Sequence, residues 1–574
     1  MYEGEPATAG RSDLEAWREA ASGNSFDRDP FLQHLLRRHL GPKWNEEKAR
    51  LRTTAEQTGR GFDALIRECN RDENLPVVRR HDSIGQAIEE VVFHPDHHEI
   101  GRIFWGSGVL AVLADPGHEI LAGAIAYLLD QNGEAGHSCP VACTAGAIKL
   151  IQRLGTDEQK RRLLPSLLET DYDRRLHAAQ FVTEVQGGSD VGANACIAVP
   201  EPTRPGFYRI SGEKWFCSVA DAGLFVVSAR LEDAPPGTRG LGLFLVPRLI
   251  DGRVNGFALR RLKYKLGTRS MPTGEVEFDG ALGEPIGSVD AGFKNLVGIV
   301  LDTSRVHNAL AACGIMRRAL VDGHAFAHHR RAFDRRIADF PAVQEILARM
   351  RLRTMAGLAT TFRVLAMSDR LDTGDKDPDL VAARRVSVMI NKYWTAVAGT
   401  LCSRDGIELL GGNGTIEDFS ILPRLYRDAI VLESWEGTHN TLCAQVLRDF
   451  ATRGLHRPWL DHLRTEVAEL AHPDLERVAS LAGTLVDDVH DRISRLLGSE
   501  ETAAAANIRR LVERMCRLTD WMALAAQLQW EKEYGIETDT ADALELYRLT
   551  ELENVDPQDT PELLDLNKRF AGKT

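Results

Sequence analysis

Between residues 85 and 177 apolar side chains recur at helical spacing, as in Ala147, Ile148, Ile151 and Leu154 ahead of a stop and restart at Gly155-Thr156-Asp157. The period then changes. From 178 to about 287 short apolar or alternating runs, AAQFVTE, FYRISG, LFVVSARL, LGLFLVPRL and GEVEFDG, are separated by Gly, Pro and Asp turns, which predicts β-strands. Helical patterning returns over 296–450, with long periodic runs around 306–327 and 343–365, and it continues past 456 in LERVASLAGTLVDDVHDRISRLL. Residues 1–84 are polar, helical in composition and weakly patterned. The expected organisation is α+β and multidomain: a helical N-terminal extension (1–84), an N-terminal helical domain (85–177), a β-domain (178–287), a C-terminal helical bundle (288–455) and an additional helical domain (456–574). No internal repeat or low-complexity tract is evident.

Length agrees with that division, since 574 residues exceed one simple core and predict three or four units. A content of 43% hydrophobic and 27% charged residues is that of a soluble globular chain, and the formal charge of −13 gives no bulk attraction for nucleic acid or anionic membranes. From residue 456 onward 14 Lys and Arg face 24 Asp and Glu. The local row Arg509, Arg510, Arg514 and Arg517 is interrupted by Glu513 and Asp520 and reads as a solvated helix face, so nucleic-acid binding is expected to be weak. The longest apolar stretch, around 109–129, is broken by Asp115-Pro116-Gly117-His118-Glu119, so no membrane span is expected. The acidic start MYEGEPATAGRSDLEAW lacks the marks of a signal or transit peptide, and nine scattered cysteines suggest reduced thiols; a cytoplasmic setting is the expectation.

Three clusters invite a metal reading and none sustains it. Cys139 and Cys143 share a helix face near His137 but lack further ligands at matching spacing. His94, His97 and His98 around Pro95 read as a loop before a helix, and His324 with His328 is followed by His329, Arg330 and Arg331, cations that oppose a cation site. No metal is expected.

Chemistry is better placed elsewhere. The stretch LESWEGTHN, 432–440, offers a carboxylate, Glu436, followed by Gly437, Thr438 and Asn440, where backbone can approach a ligand closely. Before it stand the turn Gly411-Gly412-Asn413-Gly414 and the segment LPRLYRDAIVL. Far upstream, FVTEVQGGSDVG (181–192) reads as a strand breaking into a loop of small and hydroxyl residues, and KWFCS (214–218) follows the turn Ser211-Gly212-Glu213.

In this order these stretches resemble the acyl-CoA dehydrogenase family: Thr183-Glu184 with Gly188-Ser189-Asp190, Lys214-Trp215, Gly411 to Gly414, Tyr426-Arg427-Asp428 and Glu436-Gly437-Thr438. Lys214 and Trp215 are adjacent here, a departure from the family's KxW. The likeness spans roughly 85–450, and VVFHPDHH, TEVQGGSDV, KWFCSV, KLGTRS, PRLYRD and WEG are similar to the AidB, alkylation-response, branch.

The resemblance implies a helical N-part, a β-domain and a four-helix C-part, with FAD as cofactor and an acyl-CoA or other acyl thioester as substrate. Glu436 is then the base that takes the α-proton while the flavin accepts the β-hydrogen. The alternative base position of the family falls at Ser304, in Asp302-Thr303-Ser304-Arg305, and serine cannot serve. For the cofactor, Val182 and Thr183 are implied at the ring edge, Gly188 and Ser189 at the pyrophosphate loop, Trp215 with Phe216 at the ring, and Cys217 or Ser218 where the family often has Thr. Arg330, Phe333 and Gln344 are implied to reach a neighbouring subunit's FAD, with Asp334 replacing the usual Gly. Gly411, Gly412 and Gly414 would receive that neighbour's pyrophosphate, and Thr438 and Asn440 the adenosine side. Asp302, Arg305, Trp435 and Gly437 are implied at the substrate. Shared sites imply a homodimer or homotetramer, and an electron-transfer flavoprotein or similar acceptor is the implied redox partner. The branch likeness adds one alternative, a DNA-associated protective flavoprotein with weak dehydrogenase activity.

Overall fold

A computed structural model describes residues 6–556, 558 and 560–573. In chain order the first helices are α1 (Pro6–Ala21), α2 (Pro30–Leu40), α3 (Trp44–Gln57) and α4 (Arg60–Cys69). A hairpin of β1 (Val77–His81) and β2 (Ala87–Val92) precedes α5 (Pro95–Gly106), α6 (Glu119–Asp130), α7 (Ala135–Leu154) and α8 (Asp157–Leu167). Then come β3 (Ala178–Phe181), β4 (Ile197–Pro200), β5 (Tyr208–Ser218), β6 (Leu224–Leu231), β7 (Leu241–Pro247), β8 (Leu249–Ile250), β9 (Arg253–Val254), β10 (Phe257–Leu262) and β11 (Thr273–Pro285). After α9 (Gly292–Asn295) and a π-helical turn over Leu296–Val300 the long helices follow: α10 (Leu301–His329), α11 (Pro341–Asp372) and α12 (Pro378–Leu410). The hairpin β12 (Arg331–Ala332) and β13 (Arg335–Arg336) separates the first two. The chain closes with α13 (Leu422–Ser434), α14 (His439–Arg453), α15 (His456–Glu469), α16 (Glu476–Leu497), α17 (Glu501–Glu533), α18 (Thr540–Tyr547) and α19 (Glu562–Ala571).

These elements form two compact units. One comprises residues 61–115 and 134–307. Its seven-stranded sheet runs β10-β11-β5-β4-β6-β3, with β7 paired to β11 and β6, and alternate residues such as Phe181, Ile210, Phe225, Val227, Phe244, Leu259, Val276 and Phe278 form its core. The helical stop and restart is seen at Gly155 to Asp157, where Thr156 caps α8 in a reciprocal capping box with Gln159. The stretch taken as helical to residue 84 ends instead in β1, whose Val77, Val78 and Arg79 pair with Val92, Val91 and Glu90. The three histidines expected in a loop belong to α5: the His94 ring caps its start, and His97 and His98 lie in its first turns. His97 stacks between Phe93 (3.9 Å between centroids) and His137 (4.2 Å), and burial lowers its pKa to about 3, so it packs as a neutral ring.

The other unit gathers three chain segments, 1–60, 116–133 and 308–574. Every residue of α6 is buried, which fits a helix that is apolar all round and packs against α3 and α11. The C-terminal helices are not a loose appendage. Helix α17 lies along α11 and α12, where Asp520 accepts hydrogen bonds from Thr360 (2.6 Å), Trp394 (2.8 Å) and Tyr547 (3.1 Å). Helix α15 is pinned to α11 by the fork of Arg363 on Glu466, at 2.8 and 2.6 Å. Within the Arg509 to Arg517 row, Arg509 meets Glu513, Arg514 meets Asp488 and Arg517 meets Glu551, while Arg510 donates to Asn507.

Candidate active site

One candidate site is a loop in the β-bearing unit, and it is built on a buried ion pair. After β3 the chain turns at Glu184, whose carboxylate is sunk beneath the loop and faces Lys214 Nζ at 2.7 Å. The carboxylate also accepts from the backbone N–H groups of Ala195 (2.6 Å) and Cys196 (3.2 Å). Burial would raise the Glu184 pKa, but the Lys214 charge and these donors hold it below the usual range. Lys214 further donates to the Val182 carbonyl at 3.3 Å, and the Trp215 N–H donates to the Thr183 carbonyl at 2.9 Å. The motif residues Glu184 and Lys214 thus tie loop to strand. Asn194 and Arg230 complete the tie, through Asn194 Nδ2 to the Val182 carbonyl (2.9 Å) and Arg230 Nη2 to the Gly192 carbonyl (2.7 Å).

What the tie presents outward is small and polar. Gly188 and Ser189 are exposed, and a Cβ at Gly188 would come within 2.6 Å of Thr183 Oγ1, so a side chain there would fill the space against that hydroxyl. Strand β5 carries an extra residue between Lys214 and Cys217, which oppose Val276 and Gly274. Lys214 and Cys217 are consequently both buried, while Trp215 is half-buried and Phe216 exposed, with Lys263 Nζ 3.3 Å from the Trp215 ring centroid. The Cys217 thiol is sealed in the β-core, and Ser218 is the partly open one of the two. An aromatic plate, a hydroxyl and a glycine-opened loop fit a flat, carbonyl-rich ring with a phosphate tail.

In the same unit Asp302, Ser304 and Arg305 begin α10 directly after the π-helical turn. Arg305 is buried, and Ser304 Oγ accepts from Gln180 Nε2 at 2.7 Å.

A separate candidate lies in the helical unit. Helix α13 ends at Ser434, and Trp435, Glu436 and Gly437 turn the chain into α14. Glu436 has φ +57° and Gly437 φ +104°. A left-handed glutamate is uncommon, and such backbone costs of order 1 kcal/mol unless its surroundings impose it. They do impose it here: the Lys392 ammonium, fully buried, donates to the carbonyls of Glu433 (3.1 Å) and Gly437 (3.0 Å), and Asn308 Nδ2 donates to the Leu432 carbonyl at 3.1 Å. Thr438 caps α14 by accepting from the Thr441 N–H, and Asn440 is exposed on its first turn. His439 Nε2 lies 2.8 Å from Glu433; burial would raise the Glu433 pKa, but this bond and one from Thr400 hold it low.

The remaining candidates sit apart from this turn along the chain. Phe333 and Asp334, both at positive φ, form the two-residue tip between β12 and β13, with Phe333 89% exposed. Arg330 is exposed beside it, and Gln344 donates to the Ala338 carbonyl at 2.9 Å. The three glycines have different reasons to be glycine. Gly411 closes α12 at φ +60°, and Gly414 is buried where a Cβ would meet the Ile407 carbonyl at 2.5 Å; Gly412 is exposed with open space around its missing Cβ. Lys392, Asn194 and Arg230 escaped sequence reasoning because each acts on backbone carbonyls, which no side-chain motif records.

Comparison with known proteins identifies the family. Family models match over 17–174 (Adaptive response protein AidB N-terminal domain), 179–281 (Acyl-CoA dehydrogenase, middle domain) and 290–450 (Acyl-CoA dehydrogenase, C-terminal domain). The first runs across the boundary placed at residue 84. Acyl-CoA dehydrogenase family member 11 of Caenorhabditis elegans is 30% identical over 75% of this chain and 71% of its own. The chain therefore belongs to the acyl-CoA dehydrogenase family, oxidoreductases whose cofactor is FAD. The protein AidB of Escherichia coli (strain K12) is 34% identical over 65% of this chain and 69% of its own. With the matching N-terminal domain, that makes this an AidB-like acyl-CoA dehydrogenase. The fold extends through the C-terminal helices: the structure of Caenorhabditis elegans ACDH-11 in complex with C11-CoA superposes with a TM-score of 0.83 at 24% identity, covering 93% of this chain and 92% of that one.

Proposed function

We propose that the protein catalyses α,β-dehydrogenation of an acyl-CoA or related acyl thioester, with Glu436 as the base. The observation that carries this reading is the Glu436 turn: a carboxylate-bearing residue in a left-handed conformation between two helix ends, with a buried lysine on the carbonyls that flank it. The α-proton of a thioester is too weakly acidic for a carboxylate in water, so base and enolate stabilisation must act together. Glu436 takes the α-proton onto a carboxylate oxygen, and the backbone N–H of the same residue is assigned to the thioester oxygen. FAD, when bound, supplies the acceptor for the β-hydrogen as hydride. Val182, Thr183, Gly188, Ser189, Trp215, Phe216 and Ser218 are assigned to hold it in the β-bearing unit. Asp302, Arg305, Trp435 and Gly437 are assigned to the substrate. Arg330, Phe333, Gln344, Gly411, Gly412, Gly414, Thr438 and Asn440 are assigned to FAD sharing in a homodimer or homotetramer.

A cytoplasmic setting, an electron-transfer flavoprotein as acceptor, and weak or absent DNA binding complete the proposal; among the described residues no helix is long and apolar enough to cross a membrane. An anaerobic absorbance titration of the yellow protein with acyl-CoA esters of graded length and branching tests it. The flavin band bleaches with one group of esters, and Glu436→Gln lowers the reduction rate by ~10²–10⁴ with flavin content unchanged. Equal rates in the variant move the base elsewhere.

A further inference from the structure

We propose that Lys392 is the positioning residue of the base turn, and that the C-terminal helix α17 braces it from outside. This rests on the reading of Glu436 as base.

An ammonium group with no exposure is costly unless its protons are used, and Lys392 uses two on carbonyls that bracket Glu436: Glu433 in the last turn of α13, and Gly437 immediately after the base. Carbonyls at a helix end lack intrahelical partners and carry the negative end of the helix dipole, so a cation is the fitting group to bind them. Fixing the peptide planes on both sides of residues 434–436 leaves Glu436 little freedom to relax out of φ +57°. A neutral apolar side chain at 392 would free both carbonyls and let the turn relax, moving the carboxylate.

The next residue extends the device outward. Tyr393 donates its hydroxyl to Glu513 on α17 at 2.8 Å, and Arg509 Nε donates to that hydroxyl at 3.2 Å. The Tyr393 ring meets His439 edge-on, 4.7 Å between centroids, and His439 holds the side chain of Glu433. Glu433 is thus gripped twice, at its carbonyl by Lys392 and at its carboxylate by His439. This gives the helices after residue 456 a role in the reaction without any contact to substrate.

The test uses the full-length, FAD-loaded protein and the variant Lys392→Gln, with anaerobic stopped-flow reduction by a reactive acyl-CoA and amide hydrogen exchange. The expected result has four parts. The limiting reduction rate falls ~10–100-fold, while the acyl-CoA concentration for half effect stays within about threefold and flavin content is unchanged. The pH midpoint of reduction moves upward as the cation is lost, and exchange within 433–440 speeds by about tenfold or more. Wild-type rate and pH midpoint, or wild-type exchange in 433–440, overturns the proposal. Wild-type protein that no acyl-CoA reduces would sink the functional reading instead, and the exchange comparison would still decide the role of Lys392. If Lys392→Gln does not fold, Lys392→Arg decides by the same measurements, since a guanidinium is too bulky to reach both carbonyls without displacing the turn.

Discussion

Replacing Lys214 with Met isolates the ion pair on which the loop after β3, proposed to hold FAD, rests. Lys214 and Glu184 are 2.7 Å apart with side chains 0% and 3% exposed, so solvent screens neither charge. Removing one partner of such a pair costs about 3–5 kcal/mol, because the survivor stays buried and unpaired. Glu184 would keep the backbone donors of Ala195 and Cys196, which shifts the expectation to the lower end, about 3 kcal/mol. Its pKa would rise once the lysine charge is gone, so part of the loss should be recovered as pH falls. Urea unfolding of the β-bearing unit, followed beside flavin retention on a desalting column, measures both consequences. The double variant Lys214→Met with Glu184→Leu should return most of the stability while flavin retention stays impaired, a coupling of about 2 kcal/mol. A loss under about 1 kcal/mol with full flavin retention, or strict additivity in the double variant, would refute the reasoning.

Other outcomes follow from particular contacts. Glu466 has its pKa lowered from 4.5 to about 2: burial would raise it, but Arg363 and His462 outweigh that. Its folded pKa lies below the unfolded one, so the stabilisation is present above about pH 4.5 and is lost as pH falls toward 2, about 3 kcal/mol in all. Glu466→Gln should lose that increment at pH 7 in urea titrations and flatten the acid limb; an unchanged limb would contradict it. Gly414→Ala should destabilise by about 2 kcal/mol or more, since its Cβ meets backbone at 2.5 Å, whereas Gly412→Ala should fold normally and weaken FAD retention only. Equal thermal midpoints for the two would show that the spacing at Gly414 does not matter.

Period switches exposed the helical, β and helical order because amphipathic patterning is a local signal, and the start of α8 could be placed by Gly155-Thr156-Asp157 alone. The motif stretches singled out the Glu184 loop and the Glu436 turn for the same reason. Local signal failed where the outcome depended on distant partners. Cys217 looked like a neighbour of Trp215 on an accessible edge, and only the bulge against Val276 and Gly274 turns its thiol inward. His97 and His98 beside a proline suggested a loop, whereas Pro95 occupies the first turn of α5, where its missing N–H costs nothing. Lys392, in the middle of a helix with no motif around it, acquires meaning only when residue 437 folds back onto it.

The helical unit is stitched from both ends of the chain. Trp17 stacks on Phe419 and donates to the Asp322 carbonyl, while Asp29 takes Arg317 and the Tyr127 hydroxyl. On a ribosome adding about 5–20 residues per second, α1 and α2 must wait tens of seconds for α10 to emerge. During that interval the leucines of α2 have α3 and α6 beside them but lack α11 and α17, while the β-bearing unit, complete by residue 307, is free to fold. The newborn chain is therefore a finished sheet domain with a half-covered amphipathic N-terminal segment. Chaperone demand and aggregation during synthesis should track the first sixty residues more than any part of the catalytic machinery.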